Sequence, residues 1–372
     1  MLIRCETVQV AFRVDASIEI GTGHVMRCLT LASALREQGA VCVFVCRPLQ
    51  GHLIYLIAQR GFEVKQLPEA VSPLVKQLPT QPKYASWLEV DWQTDAQHTN
   101  DLLQGQVFDW LVLDHYALDI HWQQAVAACY HRLFVIDDLA DREHDCDVLL
   151  DQNLGRTPAD YQALVPKKAQ LLIGPHYALL RPEFAQYREG SLNRRLLKPS
   201  LQQILVTLGG VDKNNMTEKI LACLNTCQFS EEIQMKVVMG ASAPYLSQVK
   251  QQAQNMRFKT EVLVGVDNMA QLMSESDLAI GAAGSTSWER CCLGLPTFMF
   301  VLAENQLAIA KALNQKGIAT LVDLNTLTGE INNLLTVGQT QSKLIQMIEA
   351  ASQVTQGQGA AFVLKFFSAV HA

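Results

Sequence analysis

Apolar residues fall along this chain in short runs of period two, each followed by a longer stretch of period near 3.6. The first such pair sets the pattern. Val8, Val10, Phe12 and Val14 alternate as in a strand, and Val25, Cys28, Leu29, Ala32 and Leu35 repeat as on one helix face that stops at Gly39. Further strands are predicted at 40–46, 62–67, 110–116, 132–137, 147–151 and 170–174, with helices at 51–60, 91–104 and 119–130. Residues 68–86 hold four prolines and read as a loop. A second alternation starts with the strand QILVTL at 203–208. It continues with helices at 213–226, 244–254, 267–275, 286–293 and 304–316, and strands at 233–239, 258–264, 277–281 and 296–301. The last helices fall near 340–370. Alternation of this kind predicts an α/β protein with two doubly wound, Rossmann-like domains. The polar, basic segment QYREGSLNRRLLKPS at 186–200 is the expected linker, so the domains are set at 1–190 and 191–372. The aromatic C-terminal stretch AAFVLKFFSAVHA is expected to pack on a domain, with the last helix returning to the N-terminal one.

Doubly wound sheets bind ligands outside the carboxyl ends of their strands, so the turns there carry the candidate chemistry, and two facing domains place the ligand in the cleft between them. After the first strand comes Gly21-Thr22-Gly23-His24. Glycines allow positive φ and close backbone approach. The helix behind them offers free N–H groups and partial positive charge, which disfavours an imidazolium at His24 and leaves its ring able to accept a proton. A dinucleotide fingerprint is rejected, because Met26 stands where the third glycine belongs and the next strand ends on Arg47. A capping or packing role remains the plain alternative for His24.

In the second half, Gly209-Gly210 follows a strand and precedes a helix expected from Lys213. Gly281-Ala282-Ala283-Gly284-Ser285-Thr286-Ser287 repeats the arrangement, and such turns can hold phosphate on backbone N–H groups. Glu289 lies one turn further and can accept from ribose hydroxyls; helix capping by Ser285 or Thr286 is the alternative. Glu304-Asn305-Gln306 ends another strand. In the first half, Asp114-His115-Tyr116 and Asp137-Asp138 end strands. The group Asp141, Arg142, His144 and Asp145 matches no metal-ligand spacing and is expected to be a hydrogen-bonded loop. Tyr177 and Arg181 follow the strand at 170–174, with Pro182 expected to cut any helix extension there and Arg181 a candidate fork for phosphate or a carbonyl.

Taken together, FRVDASIEIGTGHVMRCLTLA, VLDHYALD, IDDLADREHDCDVLLDQN, GPHYALLRPEF, LVTLGG, GAAGSTSWERCCLGLPT and the ENQ at 304–306 resemble the UDP-2,4-diacetamido-2,4,6-trideoxy-β-L-altropyranose hydrolases of pseudaminic acid biosynthesis. The resemblance spans nearly all of 8–320. It implies a GT-B architecture, like that of the peptidoglycan N-acetylglucosaminyltransferase. It also implies a UDP-sugar substrate, with UDP in the C-terminal domain and the sugar toward the N-terminal one, and neither metal nor cofactor. The family's base falls on His24 of GTGH. Its substrate contacts fall on Arg181 and, more loosely, on Glu289 and Asn305. The substrate-binding set then comprises Gly21, Gly23, Tyr177, Arg181, Gly209, Gly210, Gly284, Ser285, Thr286, Glu289 and Asn305. Two departures stand out: Val211 replaces a serine-like residue after LGG, and the chain is longer than the shortest family members, with extra residues after about 325 left without an assignment.

Composition narrows the field. A net charge of −6 argues against a nucleic-acid partner. No apolar run reaches the length of a membrane span, and the N-terminal apolar residues belong to the first strand, so no membrane insertion is expected. Ten scattered cysteines without paired C-x-x-C spacing read as buried thiols of a reducing, cytoplasmic setting. Nothing in the pattern speaks to oligomeric state. Two other functions share these motifs: a GT-B glycosyltransferase, and a non-catalytic nucleotide-sugar binding protein.

Overall fold

A computed structural model describes residues 7–70 and 82–367. Part of the proline-rich loop, Cys5 and the final residues lie outside that range. The chain divides into two compact units, one running to Leu179 and resuming at Gly359, the other spanning Leu180 to Gln358.

The first unit carries strands β1 (Gln9–Val14), β2 (Val41–Cys46), β3 (Glu63–Gln66), β4 (Phe108–Asp114), β5 (Tyr130–Ile136), β6 (Val148–Asp151) and β7 (Gln170–Ile173). Its helices are α1 (Gly23–Glu37), α2 (Ile54–Gln59), α3 (Trp92–Leu103) and α4 (Ile120–Ala125). All described pairings are parallel, in the order β3-β2-β1-β4-β5-β6-β7. The second unit carries α5 (Pro182–Leu197), then β8 (Gln203–Thr207), α6 (Met216–Leu224), β9 (Gln234–Met239), α7 (Leu246–Gln254), β10 (Lys259–Val264) and α8 (Met269–Glu275). It continues with β11 (Leu278–Ala282), α9 (Thr286–Cys292), β12 (Thr297–Phe300), α10 (Leu307–Gln315), β13 (Thr320–Leu321), α11 (Leu327–Leu334) and α12 (Thr340–Ser352). This sheet is also parallel, ordered β10-β9-β8-β11-β12-β13. Strand order therefore reverses between β1 and β4 in one sheet and between β8 and β11 in the other. Those reversals open a crevice beyond the strand ends.

Three expectations change. The segment 186–200 is no linker but most of helix α5. Pro182 occupies the first helical position, where a missing N–H costs nothing, and so starts the helix rather than cutting it. The polarity that suggests a linker comes from arginines with protein partners: Arg188 donates to the Ser352 carbonyl at 2.7 Å, and Arg195 to the carbonyls of Ser276 and Leu293 at 2.7 and 2.6 Å. Helix α6 starts at Met216 rather than near Lys213, because Asp212 caps it. Its carboxylate accepts from the amides of Met216 and Thr217 at 2.9 and 2.8 Å. Arg13, on the polar phase of β1, is buried because a parallel sheet is covered on both faces. It is neutralised by Asp15 at 2.7 Å and Asp95 at 2.8 Å, and Asp95 is shared with Arg47 at 2.6 Å.

Helix α13 (Gly359–Leu364) belongs to the first unit. Phe367 after it packs on Trp110 and Phe134 at ring distances of 4.9 and 5.0 Å, joining the core that Phe12 and Phe44 anchor. Full burial of such a side chain stabilises by about 1.5–3 kcal/mol. A side chain at Gly359 would press into the Ala178 carbonyl, which fixes glycine there. Among the described residues, no helix is long and apolar enough to cross a membrane.

Candidate active site: two strand-end clusters

At the reversal in the first sheet, the turn after β1 is shaped by Ser17. Its carbonyl accepts from Gly21 at 2.8 Å, and its hydroxyl accepts from Glu19 and Ile20 at 3.1 and 3.0 Å. Gly21 sits at φ +80°, a conformation few side chains tolerate. Gly23 then opens α1 and sets His24 in its first turn.

The neighbouring strand, β4, ends on Asp114, and the two ends meet. Asp114 Oδ1 lies 2.6 Å from His24 Nδ1. Arg27, one turn after His24 on the same helix face, clamps the same carboxylate through Nε at 2.7 Å and Nη2 at 2.7 Å. Its remaining amine donates to Asp138 at 2.7 Å, and Asp138 also accepts from Tyr116 and from Asn153. Burial alone raises the Asp114 carboxyl, but Arg27 first and His24 next reverse this and hold it well below the usual carboxylate range. An ionised carboxylate only accepts, so the proton of a neutral His24 ring resides on Nδ1 and Nε2 carries the lone pair. The Tyr116 ring stands edge-on to His24 at 4.6 Å, and Trp87 lies 6.3 Å away.

The sequence placed Asp114, Tyr116 and Asp138 at strand ends but gave none of them a role, and it passed over Arg27 altogether. The one available signal is the H-x-x-R spacing, which puts both side chains on one helix face. The acidic loop is as expected: Asp137 pairs with Arg142 at 2.8 Å and accepts from Tyr161 at 2.9 Å, while His144 meets Gln123 at 2.7 Å.

Tyr177 is placed elsewhere in the first unit. It packs against the apolar core and lies tilted against His176 at a ring distance of 4.0 Å, with the start of α13 tight against its backbone. It does not join the His24 cluster.

In the second unit, the turns after β8, β11 and β12 line one sheet edge. Gly209, at φ +93°, has open space where a side chain would be, but the α6 amides behind it are taken by Asp212. After β11, the Ser287 amide is used by the Gly284 carbonyl at 2.9 Å, while no described backbone carbonyl accepts from Gly284 or Ser285. Gln306 comes within 3.9 Å of the open side of Gly284 and accepts from Leu302 at 2.9 Å, bringing the turn that holds Asn305 beside it. Arg181, the residue preceding α5, donates to the Asp267 carbonyl at 2.9 Å. It also faces Glu289. Burial pushes the Glu289 carboxyl up to about 7 although the residue keeps some solvent exposure, with Arg181 and then Arg290 pulling the other way. So Arg181, Gly284, Ser285, Thr286, Glu289 and Asn305 gather in one unit, and His24 with Gly21 and Gly23 lies in the other.

Comparison with known proteins bears on the fold and on the class of enzyme. The chain is 26% identical over 310 residues to a UDP-2,4-diacetamido-2,4,6-trideoxy-β-L-altropyranose hydrolase of Campylobacter jejuni, covering 83% of this chain and 97% of that one. Residues 203–361 match the glycosyltransferase family 28 C-terminal domain. MurG of Acinetobacter baumannii superposes with a TM-score of 0.64 at 16% identity, over 97% of this chain and 99% of that chain. The fold is GT-B. A second GT-B structure, TcCGT1 in complex with UDP, also reaches 0.64, at 12% identity over 97% of this chain and 99% of its own. The resemblance to the hydrolase thus extends over a GT-B chain of two Rossmann-like domains, and the family 28 match covers most of the second.

Proposed function

We propose that this GT-B protein is a UDP-sugar hydrolase. It cleaves the anomeric C–O bond of UDP-2,4-diacetamido-2,4,6-trideoxy-β-L-altropyranose with inversion, releasing UDP and the free sugar for pseudaminic acid biosynthesis. The observation that carries this reading is the His24–Asp114 pair, a histidine whose Nδ1–H is held by a buried ionised carboxylate and whose Nε2 is left basic. The likeness to the Campylobacter hydrolase supports the substrate.

In this reading Nε2 takes a proton from water as its oxygen attacks the anomeric carbon, and the bond from that carbon to the β-phosphate oxygen breaks. Glycosidases generally pair a base with a carboxylic acid that protonates the leaving oxygen. A diphosphate leaves without that proton, so one base suffices, provided donors stabilise the departing charge. Gly209, Gly210, Gly284, Ser285 and Thr286 supply donors, Glu289 accepts from the ribose, and Arg181 and Asn305 complete the nucleotide contacts. Gly21 and Gly23 let the sugar approach beside His24. Tyr177 enters this reading only through the core it packs on. No metal or cofactor takes part, the chain works without membrane insertion or nucleic acid, and its setting is the cytoplasm.

Incubation with the UDP-sugar in ¹⁸O-labelled water tests it. Label is expected in the sugar, before its anomeric hydroxyl exchanges, with UDP unlabelled; label in the nucleotide phosphate overturns attack at carbon. The family 28 match and the glycosyltransferase neighbours favour a second reading, sugar transfer to an alcohol acceptor. The same tube separates them, because a transferase releases little UDP without acceptor. A binding protein releases none and is indifferent to loss of His24.

A further inference from the structure

Arg290 lies at the strand-order reversal of the second sheet, under the turn after β11. It is 1% exposed, and among the described residues no carboxylate forms an ion pair with it. One amine donates to the Ala282 carbonyl at 2.6 Å and to Ser287 Oγ at 3.0 Å. Among the described residues, Nε and Nη1 have no hydrogen-bond partner. The guanidinium fills the place a side chain on Gly281 would take, directly under the turn after β11 and next to the Thr207 carbonyl at the end of β8. It therefore sits between the two strands where the order reverses, beneath amides with no described backbone acceptor. A buried cation with two idle nitrogens is costly. Arg195, the other buried arginine of this unit without an ion pair, shows the contrast: each of its nitrogens donates to at least one carbonyl.

We infer that Arg290 is the built-in counter-charge for the diphosphate of the bound nucleotide. It holds the Gly284–Ser287 turn in place through Ala282 and Ser287 and supplies the positive potential the leaving group needs. The inference rests on the nucleotide reading above and deepens it. Burial lowers the guanidinium to about 10, consistent with a charge that is unsatisfied until an anion arrives. The neighbouring Glu289 forms no ion pair with it among the described residues and only partly offsets the effect of burial.

The test compares UDP with uridine on Arg290→Met and Arg290→Lys, by calorimetry and by thermal unfolding. UDP binding by the unaltered protein is the control for the nucleotide reading: if UDP does not bind there, that reading fails, and this inference with it. Given UDP binding, Arg290→Met is expected to weaken UDP about 10–100-fold, the range of a lost charged hydrogen-bonding group, with uridine affinity unchanged. Arg290→Lys is expected to recover part of the UDP affinity. The melting temperature of Arg290→Met without ligand is expected to match or exceed that of the unaltered chain, because an apolar residue removes an uncompensated charge. Unchanged UDP affinity in a folded Arg290→Met overturns the inference. So does a parallel loss of UDP, uridine and melting temperature, which marks Arg290 as scaffold only.

Discussion

The two strand-order reversals are alike in topology and opposite in electrostatics. At β1/β4 the charges are matched inside the protein: Arg27 serves both Asp114 and Asp138, and Asp114 serves both Arg27 and His24. At β8/β11 they are not. Glu289 is pushed up to about 7, Arg290 down to about 10, and two guanidinium atoms have no partner. A closed network holds one group in one orientation and one tautomer, as a base requires. An open one is completed by what binds. On the proposed reading, the closed cluster does the chemistry and the open one holds the ligand.

Breaking the closed network should cost most. His24→Ala is expected to lower turnover by about 10²–10⁴-fold, the usual range for a general base, with UDP affinity in calorimetry little changed. Near-normal turnover in the folded variant would remove His24 from the mechanism. Asp114→Asn tests the same network one bond further out. An amide can donate as well as accept, so Nδ1 is free to lose its proton and Nε2 to become the protonated nitrogen. Turnover is expected to fall by about 10²–10⁴-fold with KM and UDP affinity preserved. A matching rise in KM would make Asp114 a scaffold residue instead.

The open network is expected to answer to binding rather than to turnover. Glu289→Gln should weaken UDP by about tenfold or more, since a charge-assisted hydrogen bond contributes about 1.5–3 kcal/mol. The sign of the pH effect follows from the raised carboxyl. Its folded form keeps a proton to about 7, so the ionised acceptor accumulates only above that. UDP affinity should rise from pH 6 to 8 and then level off, and Glu289→Gln should flatten the rise. A steady fall over that interval in the unaltered protein would count against ionised Glu289 as the acceptor. The same linkage makes the ligand-free protein lose stability between about 4.5 and 7 as this group alone is considered, because the folded state there binds the extra proton. The smallest effect concerns metal. Asp137 is already paired with Arg142 and bonded by Tyr161, so exhaustive EDTA treatment should leave activity unchanged. Activity lost to EDTA and restored by Mg²⁺ or Mn²⁺ would reopen that loop as a site.

Much of this was legible in the chain. Strand and helix positions from β1 to α10 agree with the periodicities to within a few residues, because each is a local consequence of which face is buried. The exceptions had non-local causes. Helix α5 reads as a linker because its arginines find acceptors on segments some eighty to a hundred and sixty positions away. Helix α6 starts late because Asp212, in a left-handed turn, takes its first amides. Arg13 is a buried charge that the β1 pattern does not announce, because Asp95, which neutralises it together with Asp15, arrives from another element.

The sequence by itself determined the alternation of strands and helices, the two doubly wound halves, the glycine turns at the strand ends and His24 as the residue to watch. These depend on neighbours in the chain. Only the tertiary structure decided which nitrogen of His24 is basic and which of the clusters is charge-balanced. Asp114 comes 90 residues after His24 and meets it because β4 pairs with β1, while Arg290 has idle donors because, among the described residues, no carboxylate forms an ion pair with it. A tautomer and an unmatched charge are properties of what surrounds a group in space, and a parallel sheet brings that surrounding from distant parts of the chain.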